Sequence, residues 1–290
     1  MVEALKNVTL IQLLGDQRRA GTGNSLFAMT QIDLAYHSNK IEGSTLTKEQ
    51  VTYLFDKNEV VSDDNGSGLQ PMDDFVVANN HFKAFNLMLD TLDQPLSADI
   101  IKSFHRVLFS GIRKLDDPNF TLGDWKTIPN FIQYANTELV ETVSPDKVNQ
   151  RLLDLLERYF EKDQSLLFTH TDFHYRFEAI HPFADGNGRV GRLILFRETL
   201  KNGLVPPIIP ESFRRDYLKA LAVYPEDDFV FYRVVCQSQD LYLKQIEYFF
   251  GGIPVGLEPP VKQFQKSKKA FREWLDKREQ ADLSPESNAN

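Results

Sequence analysis

The 290-residue chain lacks several things, and each shortage removes a class of answer. It has one cysteine, Cys236, so no intrachain disulfide is expected, and a lone thiol among apolar neighbours reads as core rather than nucleophile. Positive charge is not in excess. Against 33 Lys and Arg stand 41 Asp and Glu, a formal net charge of -8, which argues against a broad electrostatic binder of nucleic acid. No apolar run approaches the ~20 residues of a membrane helix, and "MVEALKNVTLIQLLGDQRR" at the start has no apolar segment followed by a small-residue cleavage site. These absences point to a cytoplasmic protein that does not enter membranes. No repeat at solenoid spacing is present.

What is present is helical periodicity. "MTQIDLAYHSNKIEG" gathers Ile32, Ala35, Tyr36 and Asn39 on one face, with Gly43 as a stop, and "TKEQ" opens a further helix through a capping box, Thr47 answering Gln50. Phe75, Ala78, Phe82, Phe85 and Leu89 stack along a third stretch. Ser97 starts a fourth that runs through Ile101, Phe104 and Leu108 towards Gly111, and Ser144 with Pro145 starts a fifth that carries Leu152, Leu155, Leu156 and Tyr159. Two more are expected over "SLLFTHTDFHYRFEAIH" and "RVGRLILFRETLKNG". Only "GDWKTIPNFIQYANTELVETV" alternates with β-branched and aromatic residues, which predicts a small hairpin. The expected fold is mostly α with that one hairpin, then a Gly/Pro linker, "GGIPVGLEPP", and a basic helical tail.

The twelve residues "HPFADGNGRVGR", His181 to Arg192, ask for a chemical explanation. Glycines between two helices let backbone N–H groups turn inward, and the next helix brings its positive end to the same place, a combination that binds phosphate. Arg189 and Arg192, three apart, are expected on the first turn of that helix, clamping further oxygens. Asp185 suits a Mg²⁺ shared with phosphates. His181, set before Pro182 at a helix end, is placed to take a proton from a hydroxyl. Gly186, Gly188 and Gly191 spell a dinucleotide fingerprint, but no buried strand precedes them, and a Walker A loop would need Gly-Lys-Ser/Thr. His170 and His174, four apart, raise a zinc alternative. A nucleotide-sensing module without catalysis is the other.

The segment resembles the Fic family signature at every position: His181, Pro182, Phe183, Asp185, Gly186, Asn187, Gly188, Arg189 and Arg192. The resemblance implies a mostly α Fic core that moves AMP from ATP, with Mg²⁺ or Mn²⁺, to a Ser, Thr or Tyr hydroxyl of a protein, itself included, releasing pyrophosphate. Carried over by position, His181 is the base and Asp185 holds the metal. Gly186, Asn187 and Gly188 form the anion hole, while Arg189 and Arg192 meet the β- and γ-phosphates. "SNKIEG" resembles the family's inhibitory motif, which implies that Glu42 pairs with Arg192, helped by Ser38 and closed by Gly43. In some relatives that glutamate also serves AMP removal. Thr127, Ile128 and Asn130 are expected along a hairpin edge that docks the target, with Pro129 breaking one pairing. The implied organisation is an N-terminal helical region over 1–110 with its inhibitory helix near 28–43, a catalytic core over 111–250, and linker and tail over 251–290. A homodimer is compatible with this reading.

Overall fold

A computed structural model describes residues 8–60, 71–134 and 138–260, with Lys262, Gln263, Gln265, Lys266 and Lys269 beyond them. The tip of the expected hairpin and most of the expected tail lie outside the described residues. Ten helices and one two-stranded ladder are seen among the described residues. The helices are α1 (Leu10–Ala20), α2 (Leu26–Ile41), α3 (Lys48–Lys57), α4 (Met72–Asp90), α5 (Ala98–Leu108), α6 (Pro145–Phe160), α7 (Leu167–Ile180), α8 (Asn187–Lys201), α9 (Arg214–Ala222) and α10 (Asp228–Phe250). Between α5 and α6 lie β1 (Phe131–Ile132) and β2 (Val140–Glu141), antiparallel, with Phe131 opposite Glu141 and Ile132 opposite Val140. The mostly α architecture with one hairpin is therefore observed. No helix among the described residues is long and apolar enough to cross a membrane.

Local chemistry explains most boundaries. Thr47 and Gln50 cap α3 reciprocally, and Ser97 accepts the Ile100 N–H at the start of α5. The end of α2 turns sharply. Gly43 takes φ +94°, and the N–H groups of Gly43 and Ser44 fold back onto the carbonyls of Lys40 and Asn39. Ser144 stands at the N-cap of α6 but its side chain makes no capping bond, so Pro145 alone supplies the start signal. Three helices were not expected: α1, although Thr9 and Gln12 form a capping box, α9, and the long α10.

α7 and α8 pack through the centre. Phe177, Val190, Leu193 and Phe196 are fully buried in one cluster with Phe85 of α4, Ile101 and Phe104 of α5, and Leu152 of α6. A second cluster unites α7 with α9 and α10 around Phe231 and Tyr232, and a third unites α2, α3 and α4 around Ala35, Ala78 and Phe82. The end of α7, the start of α8 and the end of α2 are therefore all anchored in apolar packing before any polar contact is counted. Burial at this scale contributes roughly 25 cal/mol per Å² of apolar surface removed from water.

Candidate active site

His181 closes α7 in the left-handed region, at φ +52° and ψ +61°. Pro182 follows, so the helix cannot continue, and the chain reverses through Asp185 and Gly186 into α8. Gly186, at φ +80°, is the N-cap of α8, and an added Cβ there would meet the Phe109 ring at 2.1 Å. Asn187 is buried and staples the reversal: its Oδ1 accepts the Phe183 N–H at 2.8 Å and its Nδ2 donates to the Phe183 carbonyl at 2.9 Å. Phe183 in turn stacks on His105 of α5, with ring centroids 4.0 Å apart. His105 accepts the Gly123 N–H on Nδ1, which leaves Nε2 to donate to the Asp185 carbonyl at 3.2 Å.

The imidazole of His181 has a defined tautomer. Nδ1 lies 3.2 Å from the Glu178 carbonyl, which only accepts, so Nδ1 carries the proton and Nε2 the lone pair. Burial, seconded by the Lys126 charge, pulls His181 down to about 4, so it is neutral at physiological pH.

α8 begins two residues earlier than the glycine pattern suggested. Gly188 thus lies within its first turn, at ordinary φ, and Arg192 lies on the second turn rather than sharing the first with Arg189. Smallness, not conformational freedom, is what position 188 requires. A Cβ there would come within 2.3 Å of Glu42 Oε1 and 2.9 Å of Arg192 Nη1. The N–H groups of this first turn, with the helix dipole behind them, are of the kind that bind an anion.

Arg192 is 4% exposed and turned towards α2. It donates from Nε to Ser38 Oγ at 3.0 Å, and from Nη2 to the Ser38 carbonyl at 2.9 Å and to Glu42 Oε1 at 2.7 Å. Burial opposes ionisation of Glu42, but Arg192 and then Arg189 overcome it and hold the carboxyl below its usual range. Glu178, also beside Arg192, behaves in the opposite way. Burial pushes it up to about 8, with Glu42 adding to the rise, so it is mostly neutral at pH 7 and Glu42 is the ionised partner of that arginine.

Arg189 lies 4.5 Å over the Phe109 ring and makes a long contact, 3.5 Å, with Asp185. Asp185 accepts the Gly186 N–H and, at 2.5 Å, the ammonium of Lys114. Burial raises its pKa, yet Arg189 and Lys114 keep it below the usual carboxylate range. One ionised carboxylate beside a helix N-terminus fits a hard cation that takes its other ligands from phosphates, provided Lys114 moves aside. Between Glu42 and Arg189 lies a pocket of about 170 Å³, also lined by Asn39, Gly43, Ser44, Asp74 and Val77. That is smaller than the roughly 300–1,000 Å³ of ordinary small-molecule sites.

The hairpin residues fall differently from expectation. Thr127, Ile128 and Asn130 precede β1 rather than lying in the ladder. Thr127 and Ile128 are exposed, whereas the Asn130 amide is tied inward, accepting from Lys126 Nζ at 2.6 Å and donating to the Phe183 carbonyl at 2.9 Å. The rings of the zinc alternative are occupied by packing bonds: His170 with Tyr159 and the Gln164 carbonyl, His174 with Tyr217. Lys114, His105, Phe109 and Lys126 were not singled out in the sequence, because each arrives from a different element and carries no local motif.

Fold and site together define a helical domain with a glycine-lined helix start, a neutral histidine beside it and a carboxylate on its second arginine. Residues 95–197 match the Fic/DOC family. Among solved structures it is similar to a Fic domain containing signaling protein from Bacteroides thetaiotaomicron (TM-score 0.63, 20% identity, 94% of each chain covered). It is also similar to Fic-1 from C. elegans (TM-score 0.56, 24% identity, 76% of this chain and 64% of that one). Curated relatives include protein adenylyltransferase fic-1 of Caenorhabditis elegans, 24% identical over 65% of this chain and 35% of that protein. Protein adenylyltransferase Fic of Drosophila erecta is 26% identical over 72% of this chain and 41% of its own length. The chain thus spans well under half the length of these relatives.

Proposed function

We propose that the chain is a protein adenylyltransferase that moves AMP from ATP to a Ser, Thr or Tyr hydroxyl of a protein, itself included, and that Glu42 restrains it. The observation that carries the reading is the lone pair on His181 Nε2, fixed by the Glu178 carbonyl beside the start of α8. In the proposed reaction that nitrogen takes the hydroxyl proton as the oxygen bonds the α-phosphorus. The bond from that phosphorus to the bridging oxygen breaks, and pyrophosphate leaves. The first-turn N–H groups of α8 with Arg189 and Arg192 hold the phosphate charge, so catalysis rests on positioning and neutralisation. Asp185 would hold a Mg²⁺ or Mn²⁺, which when bound supplies charge neutralisation between phosphates.

Restraint follows from competition. While Glu42 pairs with Arg192, that guanidinium is denied to a γ-phosphate. The names of the curated relatives support the activity, and the contact between Arg192 and Glu42 supports the restraint. The test is incubation of the chain, and of Glu42→Gly, with Mg²⁺ and ATP labelled at the α-phosphate. Label that stays on protein after denaturation is expected. Label that binds and is released on denaturation would favour a nucleotide sensor, and no binding at all would remove both readings.

A further inference from the structure

Lys126 precedes the hairpin and is 2% exposed, an unusual place for an ammonium. Its Nζ donates to Asn130 Oδ1 at 2.6 Å and Thr142 Oγ1 at 2.5 Å, one on each arm of the hairpin, and reaches the Ile180 carbonyl, the last residue of α7, at 3.4 Å. Its own backbone N–H donates to the Pro182 carbonyl at 2.8 Å. Asn130, held by this ammonium, donates onward to Phe183. Both arms of the hairpin and Ile180 therefore meet at one side chain, and Pro182 meets the backbone of the same residue. No carboxylate among the described residues is bonded to it. Burial pulls the ammonium down to about 8, with Glu141 opposing. A hydrophobic residue would fill the same volume without desolvating a charge, so the lysine contributes something that packing alone does not.

We propose that Lys126 is a positioning residue that locks the hairpin to the end of α7, setting the target-docking segment in fixed register with the His181 ring. The proposal rests on the reading of His181 as base and of the hairpin as dock. It adds that the two move as one unit, so a target aligned by the exposed segment at Thr127 and Ile128 is presented at a set distance from Nε2. The charged groups that face His181 are Lys126 from the hairpin base, Glu42 from α2 and Asp185 from the reversing loop, while Glu178 offers its carbonyl. Lys126 is thus the cation nearest in effect to the ring, and removing its charge makes the imidazolium easier to form.

The test compares the full chain with Lys126→Met and Lys126→Arg, using amide hydrogen exchange and the NMR titration of the His181 ring. Lys126→Met is expected to speed exchange about tenfold to a hundredfold at both 131–142 and 181–184, as loss of charged hydrogen bonds implies, and to move the His181 titration to higher pH. Lys126→Arg is expected to restore both. Should Lys126→Met fail to fold, Thr142→Val removes one hairpin acceptor and is expected to loosen both segments together by a smaller factor. Faster exchange confined to the hairpin, with 181–184 and the His181 titration unchanged, would overturn the proposal. Neither readout needs AMP transfer, so a chain inactive on ATP would still report on the lock.

Discussion

The reversing loop between α7 and α8 and the end of α2 meet at the same arginine, yet they are built to different standards. The loop is secured from behind: Phe183 is stacked on His105, Asn187 is bonded twice to Phe183, and Gly186 is packed against Phe109. The end of α2 reaches Arg192 through the backbone and hydroxyl of Ser38 and one carboxylate whose side chain is 31% exposed. Water has access to Glu42 and almost none to Arg192. On the proposed reading, the difference means that the loop is preformed and the carboxylate is the removable part. A buried arginine left without its ionised partner is costly, so a departing Glu42 has to be replaced by another anion. On the proposed reading, a γ-phosphate is that anion.

The comparison can be broken most severely at the fixed side. His181→Ala, made in the Glu42→Gly chain so that transfer is measurable, is expected to lower transfer of α-labelled AMP by about 10²–10⁴-fold, the usual contribution of a general base. Survival of transfer would remove His181 from that role. At the removable side, Glu42→Gly is expected to raise transfer by about tenfold to a hundredfold, the range of a regulatory coupling. An unchanged rate would mean that the contact with Arg192 restrains nothing.

A subtler change sharpens the boundary between the two. Gly188→Ala meets no backbone penalty, but its methyl group falls on Glu42 Oε1 and Arg192 Nη1. The tips of both side chains can shift, so the contact should loosen, and transfer should rise a few-fold, less than for Glu42→Gly. A fall instead would mean that position 188 needs its open space for phosphate. The smallest expected effect concerns pH. Protonation removes the lone pair of His181, and burial puts that event at about 4 in the free protein. kcat/KM, which reports the free enzyme, should therefore change by less than about twofold between pH 5.5 and 7.5. A base at the ordinary value of about 6.5 would already lose most of its activity at the acid end.

The sequence disclosed the reversing loop well because its chemistry is contiguous: histidine, acid, glycines and arginines lie within twelve residues. Its supports were not legible, since Lys114, His105, Phe109 and Lys126 reach it only through the fold. Two glycine readings divided. Gly43 does end α2 at positive φ, while Gly188 proved to be helical and small for the sake of Glu42. Neither periodicity nor propensity marks Glu42. Its pairing with Arg192 was expected only from the resemblance of "SNKIEG", and the 2.7 Å contact is where α2 places it. α10 escaped notice because its buried stripe carries Ser238 and Gln239, polar residues that donate to the Val234 and Val205 carbonyls. The hairpin was located but its register was not, because two-residue strands leave too short an alternation to read.

The most direct measurement is a crystal structure of Glu42→Gly with ATP and Mg²⁺. The account predicts the phosphate tail on the first turn of α8, Arg192 bonded to the γ-phosphate, and the α-phosphorus in front of His181 Nε2. A nucleotide bound elsewhere, or Arg192 turned onto the Glu178 carboxylate with the phosphates absent from α8, would contradict it.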